Sequence, residues 1–218
     1  MNNKSPKLPQ QRDFNKGRNE AYDLAITSLK SLQDIELQCQ RSGASLEDTA
    51  YGQLIVLKYF GEDHVITLPQ GKVILKDSGK EVALTDSLLI LHYFLNAKNT
   101  SSKETFLSFR DLPEGRVYYP TFCKRTIAPL LQHFGNDFKL LESFFRKLDG
   151  HMSDKGDLSF VFSPFNGISI TLVFWKGDDD FPPAANYLFR DNITDYLPIE
   201  DIANLCQVIT AKLLSTSS

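Results

Sequence analysis

The sequence is poor in the residues that usually announce chemistry. Its 218 residues include three cysteines, four histidines and one tryptophan. Cys39, Cys123 and Cys206 stand 84 and 83 residues apart. That spacing argues against a disulfide framework. With no Cys-x-x-Cys pair, no zinc site and no iron–sulfur cluster on this chain is expected. An odd number of isolated thiols fits a reducing compartment. His64, His92, His133 and His151 show no i, i+3 or i, i+4 spacing, so a helical two-histidine metal site is excluded. No apolar run reaches the ~18 residues of a membrane span. A net charge of −3 leaves no excess of basic residues for a nucleic-acid face. Gly-x-Ser-x-Gly, Walker and Gly-x-Gly-x-x-Gly signatures are all missing.

The ends differ from the rest. Met1–Arg18 carries a net +4, so the remainder sums to −7. No apolar core follows this basic start, so it does not read as a secretory signal. Rich in Asn, Gln, Lys and proline, residues 1–16 are expected to form a disordered basic tail; a phosphate-binding arm is the alternative. Ser215–Ser218 reads as a second loose end. The expectation is a soluble cytoplasmic protein with no membrane and no nucleic acid as partner.

What remains is ordinary globular chain, 42% apolar and 23% charged, long enough to bury a core unaided. Gly17–Gly43 shows a 3.6-residue period with Gly43 as its stop. Tyr51–Phe60, His64–Leu68 and Lys72–Lys76, with Glu81–Leu84 behind, alternate with tight turns and predict an antiparallel meander. Thr85–Lys98, with Thr85 as N-cap, is apolar on nearly every side and belongs inside. A short strand at Phe106–Phe109 and a turn at Leu112–Gly115 follow, with Gly115 free to take a positive φ. Helices are expected over Tyr119–His133 and Asn136–Leu148. Leu158–Phe162 and Ile168–Trp175 predict a hairpin, and Pro198–Leu214 a last helix. The order predicts a single α+β domain over 17–214. In it helices pack an antiparallel sheet made of the N-terminal meander and the C-terminal hairpin.

Leu88–Leu95, with His92 among them, Ser108–Pro113, Tyr118–Phe122, Phe134–Asp137 and Trp175–Pro183, followed by Tyr196–Asp201, form a recognisable combination. Over roughly residues 85–205 the chain resembles a prokaryotic family, domain of unknown function 3786. The resemblance implies anaerobic bacteria and archaea, many of which use corrinoid methyl-transfer chemistry. Some relatives carry an attached iron–sulfur cysteine motif, which this chain lacks. The resemblance implies no catalytic residues.

The polar residues of those stretches are the candidates for ligand binding. Arg110 and Arg116 flank a turn, with Tyr118 and Tyr119 after it. Guanidinium groups beside aromatic rings suit a carboxylate, a phosphate or a flat ligand; the alternative is pairing with Asp111 or Glu114. Trp175 leads into Asp178, Asp179 and Asp180, adjacent carboxylates able to raise one another's pKa or hold a hard cation. Asp180 alternatively caps a helix starting at Pro182. His92, amid the apolar residues of its helix, is either a packed histidine or a ligand. Cys123 lies among Lys124, Arg125 and tyrosines that would favour a thiolate.

Three functions compete. The leading expectation is a non-catalytic accessory protein that binds a small-molecule cofactor or metabolite of anaerobic metabolism, a corrinoid most specifically. A second is an interaction module near iron–sulfur or redox machinery, with a redox or methyl-transfer protein as partner. Its acidic segment 176–205, net −5, would steer a basic surface. A third is an enzyme that uses Asp178–Asp180 with Arg110 or Arg116.

Overall fold

The computed structural model describes residues 9–145 and 150–215, with side chains from Lys16 onward apart from Phe144. The first half of the basic tail, the end of the helix expected over 136–148 and the last residues of the loose C-terminus lie outside the described residues. Helix α1 (Pro9–Lys30) begins eight residues ahead of the expected Gly17. Pro9 suits a first helical position. The polar residues after it extend a helix whose nucleus Ala25 and Leu29 anchor by burial. The helix expected to run to Gly43 is in fact two. Asp34 starts α2 (Ile35–Ser42) by accepting the Leu37 N–H at 2.9 Å, and Gly43 ends it at φ 69°. Buried Gln38 donates to the carbonyls of Phe94 (2.5 Å) and Ala97 (3.1 Å). It thereby ties α2 to the open end of the next helix.

The meander is a four-stranded antiparallel sheet, β1 (Ser45–Thr49), β2 (Gly52–Tyr59), β3 (Glu62–Thr67) and β4 (Val73–Leu75), in that order. Ile55 pairs with Ile66 and Val56 with Val65 at its centre. The polar edge strand β1 was not foreseen, and Glu81 adds only one bridge, to Ile74. Helix α3 (Leu84–Asn96) starts from Ala83, so Thr85 is not its cap. Asp86 in its first turn accepts the Tyr59 hydroxyl at 2.8 Å.

The second sheet has five strands: β5 (Phe106–Ser108), β6 (Gly150–Ser153), β7 (Leu158–Phe162), β8 (Ile170–Trp175) and β9 (Ala184–Arg190). All pairings are antiparallel, in the order β5-β9-β8-β7-β6. Meander and hairpin therefore belong to separate sheets. The stretch after Pro183 is a strand rather than the helix that Asp180 was expected to cap. Tyr187 and Phe189, both fully buried, give it the period of two that a strand requires. Between β5 and β6 lie α4 (Gly115–Arg125), α5 (Ile127–Phe134) and α6 (Phe138–Phe145). The helix expected over 119–133 breaks at buried Thr126, whose hydroxyl turns back to the Phe122 carbonyl at 2.7 Å. The turn before α4 takes its positive φ at Glu114 (61°), not at Gly115. Gly115 is required for room, because a Cβ there would overlap the Phe109 carbonyl oxygen.

Helix α7 (Ile199–Ser215) closes the fold. The Tyr187 hydroxyl and Thr210 Oγ1 lie 2.9 Å apart, joining β9 to α7. One buried cluster includes Ile55 and Ile66 of the first sheet, Phe160 and Phe174 of the second, and Leu89 and Leu205 from the helices. Phe165, in the β7–β8 loop, stacks between Tyr59 of β2 (4.8 Å) and Tyr93 of α3 (4.1 Å). The molecule is thus one α+β unit with two sheets around a shared core.

Candidate functional site

Four helices surround a cleft of about 580 Å³. Its wall residues repeat at helical spacing, the geometry that puts side chains on one stripe. From α3 come Thr85, Leu88 and His92, and from α4 Tyr118, Thr121 and Arg125. Helix α7 adds Asp201, Asn204 and Gln207, and α1 adds Arg18. Leu88, Phe122 and Ile199 line the same opening, so the cleft is mixed, with polar side chains set on an apolar wall.

At the wall, His92 Nδ1 lies 2.6 Å from Asp201 Oδ2. Asp201 sits in the first turn of α7, and only 8% of its side chain reaches solvent; His92 keeps 24%. An acceptor-only carboxylate at that distance draws the proton to Nδ1, which leaves Nε2 as the second ring nitrogen. The hydrogen bond that His92 donates to Asp201 is the largest influence raising the His92 pKa. Burial opposes it, and the charges of Asp201 and Glu200 add to it. The arrangement holds an imidazole in one tautomer and orientation, with more proton affinity than it has in water. Such a group can ligate a metal centre, carry a positive charge against an anion, or pass a proton.

The structure brings His92 and Tyr118 to one cleft and leaves the other candidates outside it. The Arg110 guanidinium lies 4.3 Å from the centre of the Tyr119 ring. Burial pushes the Tyr119 phenol up, and a hydrogen bond with Cys123 adds to it. Asp111 Oδ2 accepts from the Ser108 N–H (2.9 Å) and hydroxyl (2.6 Å), holding its carboxyl below the usual range. Among the described residues, neither Arg110 nor Arg116 forms an ion pair with Asp111 or Glu114. Arg116 is exposed on the first turn of α4.

Asp178, Asp179 and Asp180 are exposed on the β8–β9 connection. Asp178 Oδ1 accepts the N–H groups of Asp180 (3.0 Å) and Phe181 (2.8 Å), so it shapes the turn itself. Trp175 ends β8 with 40% of its surface exposed. Asn136 anchors the following Gly177 by accepting its N–H at 2.8 Å. Among the described residues no group of three or more His, Cys, Asp or Glu is placed to hold a metal ion, and no helix is long and apolar enough to cross a membrane.

Asp201, Thr121 and Arg125 were missed as site residues. Asp201 reads in the sequence as an ordinary first-turn carboxylate, and 109 residues separate it from His92. No local pattern links the two. The only signal was the oddity of a histidine on an apolar helix.

No curated protein and no solved structure matches this chain. The family described as Domain of unknown function (DUF3786) matches residues 34–212. That span takes in α2 through most of α7, including both members of the His92–Asp201 pair, and the chain belongs to this family.

Proposed function

We propose that the chain is an accessory protein of anaerobic metabolism that binds a small cofactor or metabolite in the four-helix cleft, with His92 meeting the ligand. The observation that carries this reading is the Asp201-backed imidazole at the cleft wall. Metal-ligating histidines almost always donate their other ring N–H to a carboxylate or carbonyl, which fixes the tautomer and raises basicity. The cleft volume falls within the ~300–1,000 Å³ of small-molecule sites. A single backed imidazole suits a metal that arrives with a macrocycle supplying its other ligands. A corrinoid is such a cofactor; its cobalt supplies methyl-transfer or redox chemistry when bound. His92 would provide the imidazole and Asp201 its orientation, while Tyr118 and Arg125 offer polar contacts at the wall. A redox or methyl-transfer protein is the partner this reading calls for.

The test is an anaerobic titration of the purified protein with cobinamide, which carries no imidazole-type base of its own. Absorption spectroscopy would follow coordination of the His92 imidazole to cobalt. Saturable spectral change is expected with the wild type and none with His92→Ala. Asp201→Asn should weaken binding ~10–100-fold, as loss of an outer-shell carboxylate does elsewhere. A flat titration with correctly folded protein would remove the corrinoid. Thermal shifts with flavins, nucleotides or folates in the same panel would keep the cleft as a binding site and change its ligand.

An enzyme is the second reading, and the same pair supports it. A base held by a carboxylate is the arrangement that general acid–base catalysis uses, and Thr121 and Tyr118 line the same cleft. This version replaces the Asp178–Asp180 loop with His92 as the proton carrier.

A further inference from the structure

Two helices form opposite lips of the four-helix cleft, and each presents apolar surface to solvent. On α1, Gly17 and Ala21 line the opening. Leu24 continues the same stripe by helical spacing, with 69% of its surface exposed. Gly17 lies inside α1, where glycine is less stable than alanine. Among the described residues, no atom of another element comes within 4 Å of the place its Cβ would take. The fold itself therefore makes no use of the missing side chain. What glycine leaves there is helix backbone that another chain can approach closely.

Helix α4 is the other lip, and only Gly115 and Phe122 of it are buried. Tyr118 is exposed and Val117 is 79% exposed. Val117 stands one turn before Thr121, which lines the cleft beside Tyr118.

The charge of α4 has one sign. Arg116, Lys124 and Arg125 are exposed, and the helix carries no carboxylate. With the turn before it, residues 110–125 hold Arg110, Arg116, Lys124 and Arg125 against Asp111 and Glu114, a net of +2 in a chain of net −3. Elsewhere in the lining Arg18 offsets Glu200 in the count, and Asp201 is taken up by His92, so the excess remains. Among the described residues none of the four basic groups of 110–125 forms an ion pair. The helix dipole accounts for Lys124 and Arg125 in the last turn but opposes Arg116 in the first.

We propose that the α1 and α4 lips dock an acidic amphipathic helix of a partner protein. Its apolar stripe would lie on Leu24 and Val117, its backbone over Gly17, and its carboxylates against Arg116, Lys124 and Arg125. A groove between two helices, with apolar and charged residues on its rims, is the setting in which amphipathic helices are bound. A membrane surface is flat and suits a convex face, whereas this one is concave. The proposal concerns the lips of the cleft and not what His92 meets, so it stands whether or not the cleft holds a cofactor.

The test is fluorescence anisotropy of the purified full chain with a labelled synthetic helix that carries a leucine stripe flanked by glutamates. Saturable binding is expected, weakening as salt screens the charges. A peptide with lysine in place of glutamate should not bind. Leu24→Ser combined with Val117→Ser, both exposed positions, should weaken binding tenfold or more, as should Arg116→Glu combined with Lys124→Glu. Gly17→Gln supplies a better helix former, so its melting temperature should hold or rise while binding falls. Equal binding of the glutamate and lysine peptides overturns the proposal, and so does a double serine variant that binds like the wild type. Sedimentation with phosphatidylserine vesicles that depends on the same side chains would replace the partner helix with a membrane. No cobinamide enters these measurements, so a flat cobinamide titration leaves their outcome unaffected.

Discussion

A histidine on a helix otherwise apolar all round must find a partner for its ring nitrogens. At His92 that partner is a carboxylate almost out of water itself. The sign of its pH dependence follows. The His92 pKa is raised in the folded protein, chiefly by the hydrogen bond to Asp201. Its stabilisation is therefore complete below the ordinary histidine value of ~6.5 and is lost as pH rises through the raised one. Asp201→Asn should cost ~1–3 kcal/mol at pH 5.5, as loss of a charged hydrogen-bond partner does. The gap to wild type should narrow by pH 9. Urea unfolding at both pH values measures this, and a gap that stays constant refutes the linkage. Only half of this pair was legible in the sequence. His92 stood out because its neighbours are apolar. Asp201 looked like any acid at a helix start, and proximity across 109 residues is a property of the fold alone. Gly115 was legible for the wrong reason: it provides space, not a positive φ. Gly115→Ala should therefore destabilise the protein by ~1–3 kcal/mol or more, the cost of overpacking against backbone.

Elements were legible where their period is strong and illegible where they depend on a neighbour. The meander strands β2 and β3 and the hairpin β7–β8 carry their own β-branched and aromatic runs. Edge strands β1 and β6 do not; Ser45–Thr49 is polar and becomes a strand by pairing with β2. Strand β9 was misread because Asp180 and two prolines imitate a helix start. The decisive pattern was the alternation of Tyr187 and Phe189 with half-buried neighbours. Tyr187 also anchors the element to α7, and its hydroxyl is paired with Thr210 at 2.9 Å. Tyr187→Phe keeps the ring and loses that bond, so a cost of ~1 kcal/mol is expected. Tyr187→Ala leaves a cavity too and should cost ~3–5 kcal/mol. Equal losses in chemical denaturation would mean that the ring contributes nothing beyond its hydroxyl.

At the scale of the whole molecule, the sequence predicts an α+β unit but not how its sheets are divided. Nothing in the local patterns says whether meander and hairpin share a sheet, because that depends on which strand edges meet. The structure keeps the two ladders apart and joins the sheets through one backbone bond, from the Phe60 N–H to the Pro164 carbonyl at 2.9 Å, and through side chains. Phe165 is the central joint. Its ring is 98% hidden from solvent and lies between Tyr59 of the first sheet and Tyr93 of α3. The Tyr93 hydroxyl lies between the carbonyl oxygens of Ser42 (2.6 Å) and Asn166 (2.7 Å), with its single proton to share between them, which fixes the stack from the other side. A shared core of this kind predicts one cooperative unfolding transition rather than two. Phe165→Ala should lower stability by ~3–5 kcal/mol through the cavity it opens. Because the joint belongs to both sheets, amide exchange in β2–β3 and in β7–β8 should accelerate together and by similar factors, as members of one cooperative unit do. If only one sheet lost protection, the two would be separate folding units that touch.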